Sequence, residues 1–209
     1  MQLTKHGHSC VRVDDGERTL VLDPGGFSDL DAALDGADAV LITHEHADHV
    51  EVERVRAAAK ADPRLRIWAP SPVAGMLAEL GEQVVAVGPG ESFEAAGFAV
   101  QTFGGQHALI HPLIPVVANV GYVIDGATYH PGDSLVVPPV PVSTLLLPAV
   151  APWSKASEVI DFAVAVHAPR VLPIHDAIVT DAWRAIVQRN LVPIVEPFGI
   201  QYAGWDDAS

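Results

Sequence analysis

The nine residues from Leu41 to His49 constrain this chain more than any other stretch. They read Leu41-Ile-Thr-His44-Glu-His46-Ala-Asp48-His49, so three histidines and an aspartate fall within six residues. The run Ala39-Val40-Leu41-Ile42 just before them is short, apolar and β-branched, which predicts a buried strand. Side chains alternate along an extended segment, so His44 and His46 share one side. The turn that follows can swing Asp48 and His49 to a second point nearby. Neutral imidazoles and a carboxylate are the donors that borderline and hard divalent ions take. A metal site at a strand's end is therefore expected.

Other strand ends supply further candidates. Phe103-Gly104-Gly105-Gln106-His107 closes a predicted strand, and its glycines let the backbone bend sharply to deliver one imidazole. Val171 to Ile174 is an apolar strand with His175 at its end, the arrangement already met at His44 and His107. Asn119 to Asp125 and Ala127 to His130 read as a hairpin over Asp125-Gly126. That hairpin leads into Pro131-Gly132-Asp133-Ser134, where a carboxylate presented from a turn can bridge two cations. Asp23 closes Leu20-Val21-Leu22 ahead of Pro24-Gly25-Gly26, and is either a partner of a metal-bound histidine or an ordinary turn aspartate. The loop from Ala108 to Val117 carries His111 among Leu109, Ile110, Leu113, Ile114 and Val116, which either line a substrate pocket or anchor the loop. The extended apolar stretch from Val136 to Pro141 is a rim or a contact surface.

The remaining elements follow from local signals. Strands are expected over Gln2 to Lys5, Val11 to Asp14, Thr19 to Asp23, Arg66 to Trp68, Gln83 to Val87, Ser92 to Ala95, Ala99 to Phe103 and Thr144 to Leu147. Helices are expected over Glu51 to Ala61, Pro72 to Leu80, Lys155 to Val166 with Ser154 as N-cap, and Thr180 to Arg189. Two short terminal strands, at Pro193 to Val195 and Ile200 to Tyr202, complete the reading, and His167 marks a helix end. Early helices alternate with strands and the middle is strand-rich, which predicts an α+β chain with two sheets and outer helices.

Charge bounds the partners. Asp and Glu number 26 against 12 Lys and Arg, a net charge of −14, so nucleic acid and acidic membranes are repelled overall. Between Ile67 and Ser154 there is no Lys or Arg, while six carboxylates lie there. Half of the expected site thus has no fixed cation to clamp a phosphate. No apolar run reaches membrane-spanning length, the Met1 end lacks a signal pattern, and the single cysteine, Cys10, fits a reducing compartment as a small core residue. A cytoplasmic protein acting on a small molecule is expected, without nucleic acid or membrane as partner and with self-association left open.

These residues together resemble the metallo-β-lactamase superfamily. The matching motifs are Thr43-His44-Glu-His46-Ala-Asp48-His49, Gly105-Gln-His107, Gly132-Asp133, Pro173-Ile-His175 and the early aspartate of Leu22-Asp23-Pro24. His6-Gly7-His8-Ser9-Cys10 and Tyr129-His130-Pro-Gly132-Asp133 look most like the branch of ascorbate-6-phosphate lactonase-like and uncharacterised metal-dependent hydrolases. The resemblance implies one metallo-β-lactamase-like domain over residues 1–209, a four-layer αβ/βα sandwich of two mixed sheets with helices outside. It also implies two divalent ions, zinc first, with manganese or iron suiting the same donors. One ion would take His44, His46 and His107, the other Asp48, His49 and His175, with Asp133 bridging. Ser134 replaces the more common threonine, and the missing basic residues speak against a phosphorylated substrate.

The mechanism expected from two such ions is hydrolysis by a metal-bridging hydroxide, since a shared water loses its proton near neutral pH. Asp48 would orient that hydroxide and Asp133 hold both ions. His130 or His8 would protonate the leaving group or buttress the ligands. Trp153 and Trp183 are expected in core packing, with a pocket wall as the alternative. A small ester, lactone or amide is the favoured substrate. The alternatives are a phosphodiesterase, including a nuclease, and a non-hydrolytic iron enzyme or metal-stabilised binding protein of the same fold.

Overall fold

The computed structural model describes residues 1–205, so the last four residues of the expected domain, 206–209, lie outside the described residues. Six strands form the first sheet in sequence order: β1 (Gln2–Lys5), β2 (Val11–Asp14), β3 (Thr19–Leu22), β4 (Ala39–Leu41), β5 (Arg66–Ala69) and β6 (Val84–Ala86). β1 to β3 pair antiparallel, and β3 to β6 parallel. The second sheet runs β7 (Ser92–Ala95), β8 (Phe98–Gly104), β9 (Val120–Ile124), β10 (Thr128–His130), β11 (Thr144–Pro148), β12 (Arg170–Ile174) and β13 (Gln201–Tyr202), also in sequence order. It is antiparallel up to β10 and parallel beyond. The helices are α1 (Leu30–Leu34), α2 (Val52–Ala61), α3 (Ser71–Met76), α4 (Ala156–Val166) and α5 (Asp181–Val195).

Alternation along the central strands builds three apolar layers. Leu20 and Leu22 of β3, Leu41 of β4, Tyr122 and Ile124 of β9, Leu146 of β11 and Leu172 of β12 point between the sheets. Val21 and Val40 point the other way, onto Val55 and Ala59 of α2 and Val73 of α3. Leu145, Leu147 and Val171 face outward onto Val159, Phe162 and Ala163 of α4 and Leu191 and Val195 of α5. A strand covered on both faces needs apolar residues throughout, which is why β3, β4, β9 and β11 carry no outward polar face. The architecture is the expected αβ/βα sandwich. At one end the sheets are stitched together, by Tyr122 Oη donating to the Ile42 carbonyl (2.8 Å) and Val120 N to the Thr43 carbonyl (2.9 Å). Among the described residues no helix is long and apolar enough to cross a membrane.

Three local expectations need correction, and one short helix was not anticipated. Pro193 to Val195 is not a strand: α5 continues through Pro193, because Leu191 and Val195 are both buried under it and hold the extra turn in place. Ser154 does not cap α4, since its hydroxyl is bonded to the Ala151 backbone; Lys155 takes that position and Glu158 accepts its N–H. The expected helix from Pro72 to Leu80 breaks after Met76 into a 3-10 segment, Ala78–Gln83, containing Gly81 at φ 59°. α1 carried no periodic signal over five residues, and forms because the Asp29 carboxylate caps Ala32 N while Leu30 and Ala33 are buried.

Candidate metal centre

The loops leaving the stitched end carry the candidate donors. β4 delivers Thr43 and His44, and the turn before α2 carries His46, Asp48 and His49. His107 follows β8, Asp133 follows β10, and His175 follows β12. Their ligand atoms form two groups, each within 4.8 Å: His44, His46, His107 and Asp133, and His8, Asp48, His49 and His175. All seven residues singled out as ligands by sequence are thus brought together, with His8 beside them. Asp133 stands between the groups. Its Oδ1 is 3.1 Å from His49 Nε2, and its Oδ2 is 3.3 Å from His107 Nε2 and 3.1 Å from His175 Nε2.

Backbone and side-chain acceptors fix the tautomer of four histidines. His49 Nδ1 donates to Asp23 Oδ2 (2.6 Å), His107 Nδ1 to the Ala108 carbonyl (2.6 Å) and His175 Nδ1 to the Val150 carbonyl (2.8 Å). His44 Nδ1 donates to Thr43 Oγ1 (2.9 Å), whose own proton goes to Asp23 Oδ2 (2.7 Å). A donor at Nδ1 leaves the Nε2 lone pair facing inward, which is how a second partner prepares a metal-binding imidazole. His44 Nε2 and His46 Nδ1 then face each other at 3.2 Å, two ring nitrogens with a lone pair to share. Asp23 is therefore no ordinary turn aspartate. At φ 45° it leaves the strand and accepts from Thr43 N, Thr43 Oγ1 and His49.

The donor set fits a cation. His49 Nε2, His107 Nε2, His175 Nε2 and Asp133 Oδ1 are all buried without a hydrogen-bond partner, a costly arrangement unless something else satisfies them. Electrostatics agrees. Burial opposes charge on His49, yet Asp133 and Asp23 raise it well above the ordinary imidazole range. Burial likewise opposes charge on His175, but Asp133 and Asp48 push it up to about 9. Burial alone would raise the Asp133 carboxyl, and the neighbouring His49, His107 and His175 hold it well below the carboxylate range. Protons on these imidazoles do what a divalent ion would do better. His44 is driven down first by burial and then by the neighbouring His49, against the pull of Asp133.

The residues around the donors divide by role. His8 Nδ1 accepts the Ala177 N–H (3.3 Å), so its Nε2–H is the donor that meets Asp48 Oδ2 at 3.2 Å. That tautomer makes His8 a partner of Asp48, although it sits in the second donor group. His130 does not line the site mouth, and of its two expected roles its bonds fit the buttressing one rather than protonation of a leaving group. It is fully buried, its Nε2 donates to the Ser9 carbonyl (3.0 Å), and its Nδ1 accepts Gly132 N–H (3.1 Å). It ties the 6–10 loop to the Asp133 turn. His111 is exposed and accepts the Leu113 N–H within its own loop.

Two side-chain bonds to the Asp133 turn go beyond the sequence expectations. Trp153, expected in core packing, donates Nε1–H to Asp133 Oδ2 at 2.8 Å and walls the mouth. Asn119 accepts Asp133 N–H (3.0 Å) and donates to the Pro131 carbonyl (2.9 Å), so it shapes the turn that presents the carboxylate. Trp183, also expected in the core, is 47% exposed and lines a cleft between α4 and α5. Just past His175, the nearly buried Asp176 is bonded to Lys5 Nζ and to Arg184 Nε, which anchors the last ligand to β1 and α5.

The family model described as the Beta-lactamase superfamily domain matches residues 2–175. Protein Rv0786c of Mycobacterium tuberculosis is 41% identical over 196 residues, covering 91% of each chain. A UPF0173 metal-dependent hydrolase of Lysinibacillus sphaericus is 27% identical over 197 residues, covering 84% of this chain and 85% of its own. Igni18, a metallo hydrolase of the archaeon Ignicoccus hospitalis, superposes with a TM-score of 0.74 at 18% identity over 97% of this chain and 94% of its own, which shows the shared fold.

Proposed function

The chain belongs to the β-lactamase superfamily domain family, and from that premise we propose that it is a metal-dependent hydrolase of a small ester, lactone or amide. The convergence of partnerless buried donor atoms on His49, His107, His175 and Asp133 carries this reading. His44, His46 and His107 would hold one divalent ion, and Asp48, His49 and His175 a second, with Asp133 facing both. Zinc suits this nitrogen and oxygen set first, and manganese and iron suit it too. Bound divalent ions supply a nucleophile at neutral pH by lowering the pKa of water from about 15.7 towards about 7, and polarise the carbonyl under attack.

The chain's own groups do the positioning. Asp48 is partly exposed at the mouth, with one oxygen held by His8. Its carboxylate is placed to orient an attacking water. No side-chain nucleophile competes: Cys10 is buried with its thiol pushed up by burial, and Ser134 Oγ is bonded to Val136 N. The mouth is walled by Phe27, Ile110, Pro152, Trp153 and Ile178, and no Lys or Arg lines it. A phosphodiester would bring an anion to a site with no side-chain cation, so an uncharged acyl substrate is favoured.

The decisive experiment pairs metal analysis of metal-replete protein with a panel of lactones, esters, amides and bis(p-nitrophenyl) phosphate. Bound metal with turnover of an acyl substrate is expected. Turnover of the phosphodiester alone, iron with oxygen uptake and no hydrolysis, or no bound metal would each overturn the reading.

A further inference from the structure

The cleft over the donors does not end there. About 260 Å³ in volume, it shares His107, Ile110, Pro152 and Trp153 with a larger groove of about 750 Å³. The groove runs between the turn at 106–110 and the segments 134–136 and 152–155, as far as Lys155 and Glu158 at the start of α4. Most polar side chains in its wall are already engaged. Ser134 Oγ accepts Val136 N–H, Ser154 Oγ is bonded to the Ala151 backbone, and Lys155 Nζ is bonded to Glu158 Oε1 at 3.2 Å. The groove presents Leu109, Ile110, Leu135, Val136 and Trp153 along one strip, with the exposed amide of Gln106 beside them. Leu109 is 55% exposed and Val136 39%, so apolar side chains face water beside the donor cluster.

We infer that this groove holds a linear, uncharged acyl or alkyl arm of the substrate, with the reacting carbonyl over the donors and the chain running along Ile110 and Val136 towards Lys155. The inference rests on the hydrolase reading above. Adjacency decides for a substrate arm over a docked protein, because His107, Ile110, Pro152 and Trp153 border both spaces and set the groove directly beside the donors. Charge decides for an uncharged arm: Lys155 is the only cation in the wall, and Glu158 neutralises it.

The test uses straight-chain hydroxamic acids, from acetyl to octanoyl, titrated calorimetrically into the zinc-loaded protein beside p-nitrophenyl esters of the same lengths. Affinity is expected to rise about two- to fourfold per added methylene, the range set by partial to full burial. In Leu109→Asp and Val136→Asp, both at exposed positions, the octanoyl-to-acetyl affinity ratio is expected to fall towards one. Binding of acetohydroxamate with no dependence on chain length, or a dependence that survives both substitutions, overturns the groove and leaves the metal site standing. Chain-dependent binding without turnover of any ester, lactone or amide of the same lengths supports the groove and overturns the acyl-hydrolase reading. Failure of every hydroxamate to bind overturns both.

Discussion

His49 Nδ1 lies 2.6 Å from Asp23 Oδ2, with both side chains fully buried. The same carboxylate accepts two bonds from Thr43, so a single residue orients His49 directly and His44 through the Thr43 hydroxyl. Asp23→Asn keeps the size and tolerates φ 45°, but its amide must turn an N–H towards one of those donors. Metal affinity should fall about 10- to 100-fold, as for other partners of metal-bound histidines. Chelator competition reads this, and an unchanged affinity would remove Asp23 from the site.

Gly25 allows the metal-binding turn to close. A Cβ there would lie 1.9 Å from the Asp48 carbonyl oxygen and 2.5 Å from His49 N, both backbone atoms that cannot yield cheaply. Gly25→Ala should lower Tm and metal content together, because two donors sit on the displaced segment. Gly75→Ala, in α3 with nothing within 4 Å, should instead be neutral or stabilising by about 0.5–1 kcal/mol. Equal behaviour of the two in thermal unfolding would contradict the steric account.

The metal-free protein should lose stability as pH rises. His175 is raised from 6.5 to about 9, so its contribution is complete below 6.5 and disappears as pH climbs through 9. Asp48 and Asp133 are depressed from 3.8, so their contribution exists above that value and fades in acid. The buried His8, His44 and His130 are lowered from 6.5 by burial, so they cost stability as pH falls below that value, and the metal-free form should be most stable near pH 6.5. Metal binding displaces the imidazole protons, so the zinc-loaded protein should not weaken between pH 6.5 and 9. Calorimetry with and without chelator checks both halves; a metal-free Tm that rises over that interval would defeat the electrostatic picture.

Trp153 is expected to matter through one N–H. Trp153→Phe preserves an apolar wall but removes the bond to Asp133, and a hydrogen bond to a charged group contributes about 1.5–3 kcal/mol. Since Asp133 faces both donor groups, occupancy of both should fall, by about tenfold or more in affinity. Metal-to-protein ratios measured after dialysis against a weak chelator would show it. Full retention at both sites would mean that the indole only packs.

The donors were legible because each stands where a local signal ends. His44 and His175 follow apolar strands, His107 follows Gly104-Gly105, and Asp133 follows Gly132. His130 stands in the same kind of place, yet it is spent on the Ser9 carbonyl and Gly132 N–H. Nothing in its own neighbourhood distinguishes it from a ligand, because its partner lies 121 residues away. Asn119 gave no signal, and Trp153 signalled only a core residue or pocket wall, because their bonds to the Asp133 turn exist only once the chain is folded. At Pro193 a local rule failed outright, since the proline signal yielded to the burial of Leu191 and Val195.

Residue type and order along the chain by themselves determined the layered sandwich and the chemistry of the donors. Alternating burial and donor identity are properties of short segments, and short segments are enough to state them. Tertiary structure alone decided which histidine nitrogen faces inward, that His8 serves Asp48, that Trp153 holds Asp133, and that an apolar groove opens beside the site. Each of these depends on contacts between segments distant in sequence, and only packing the two sheets face to face creates them.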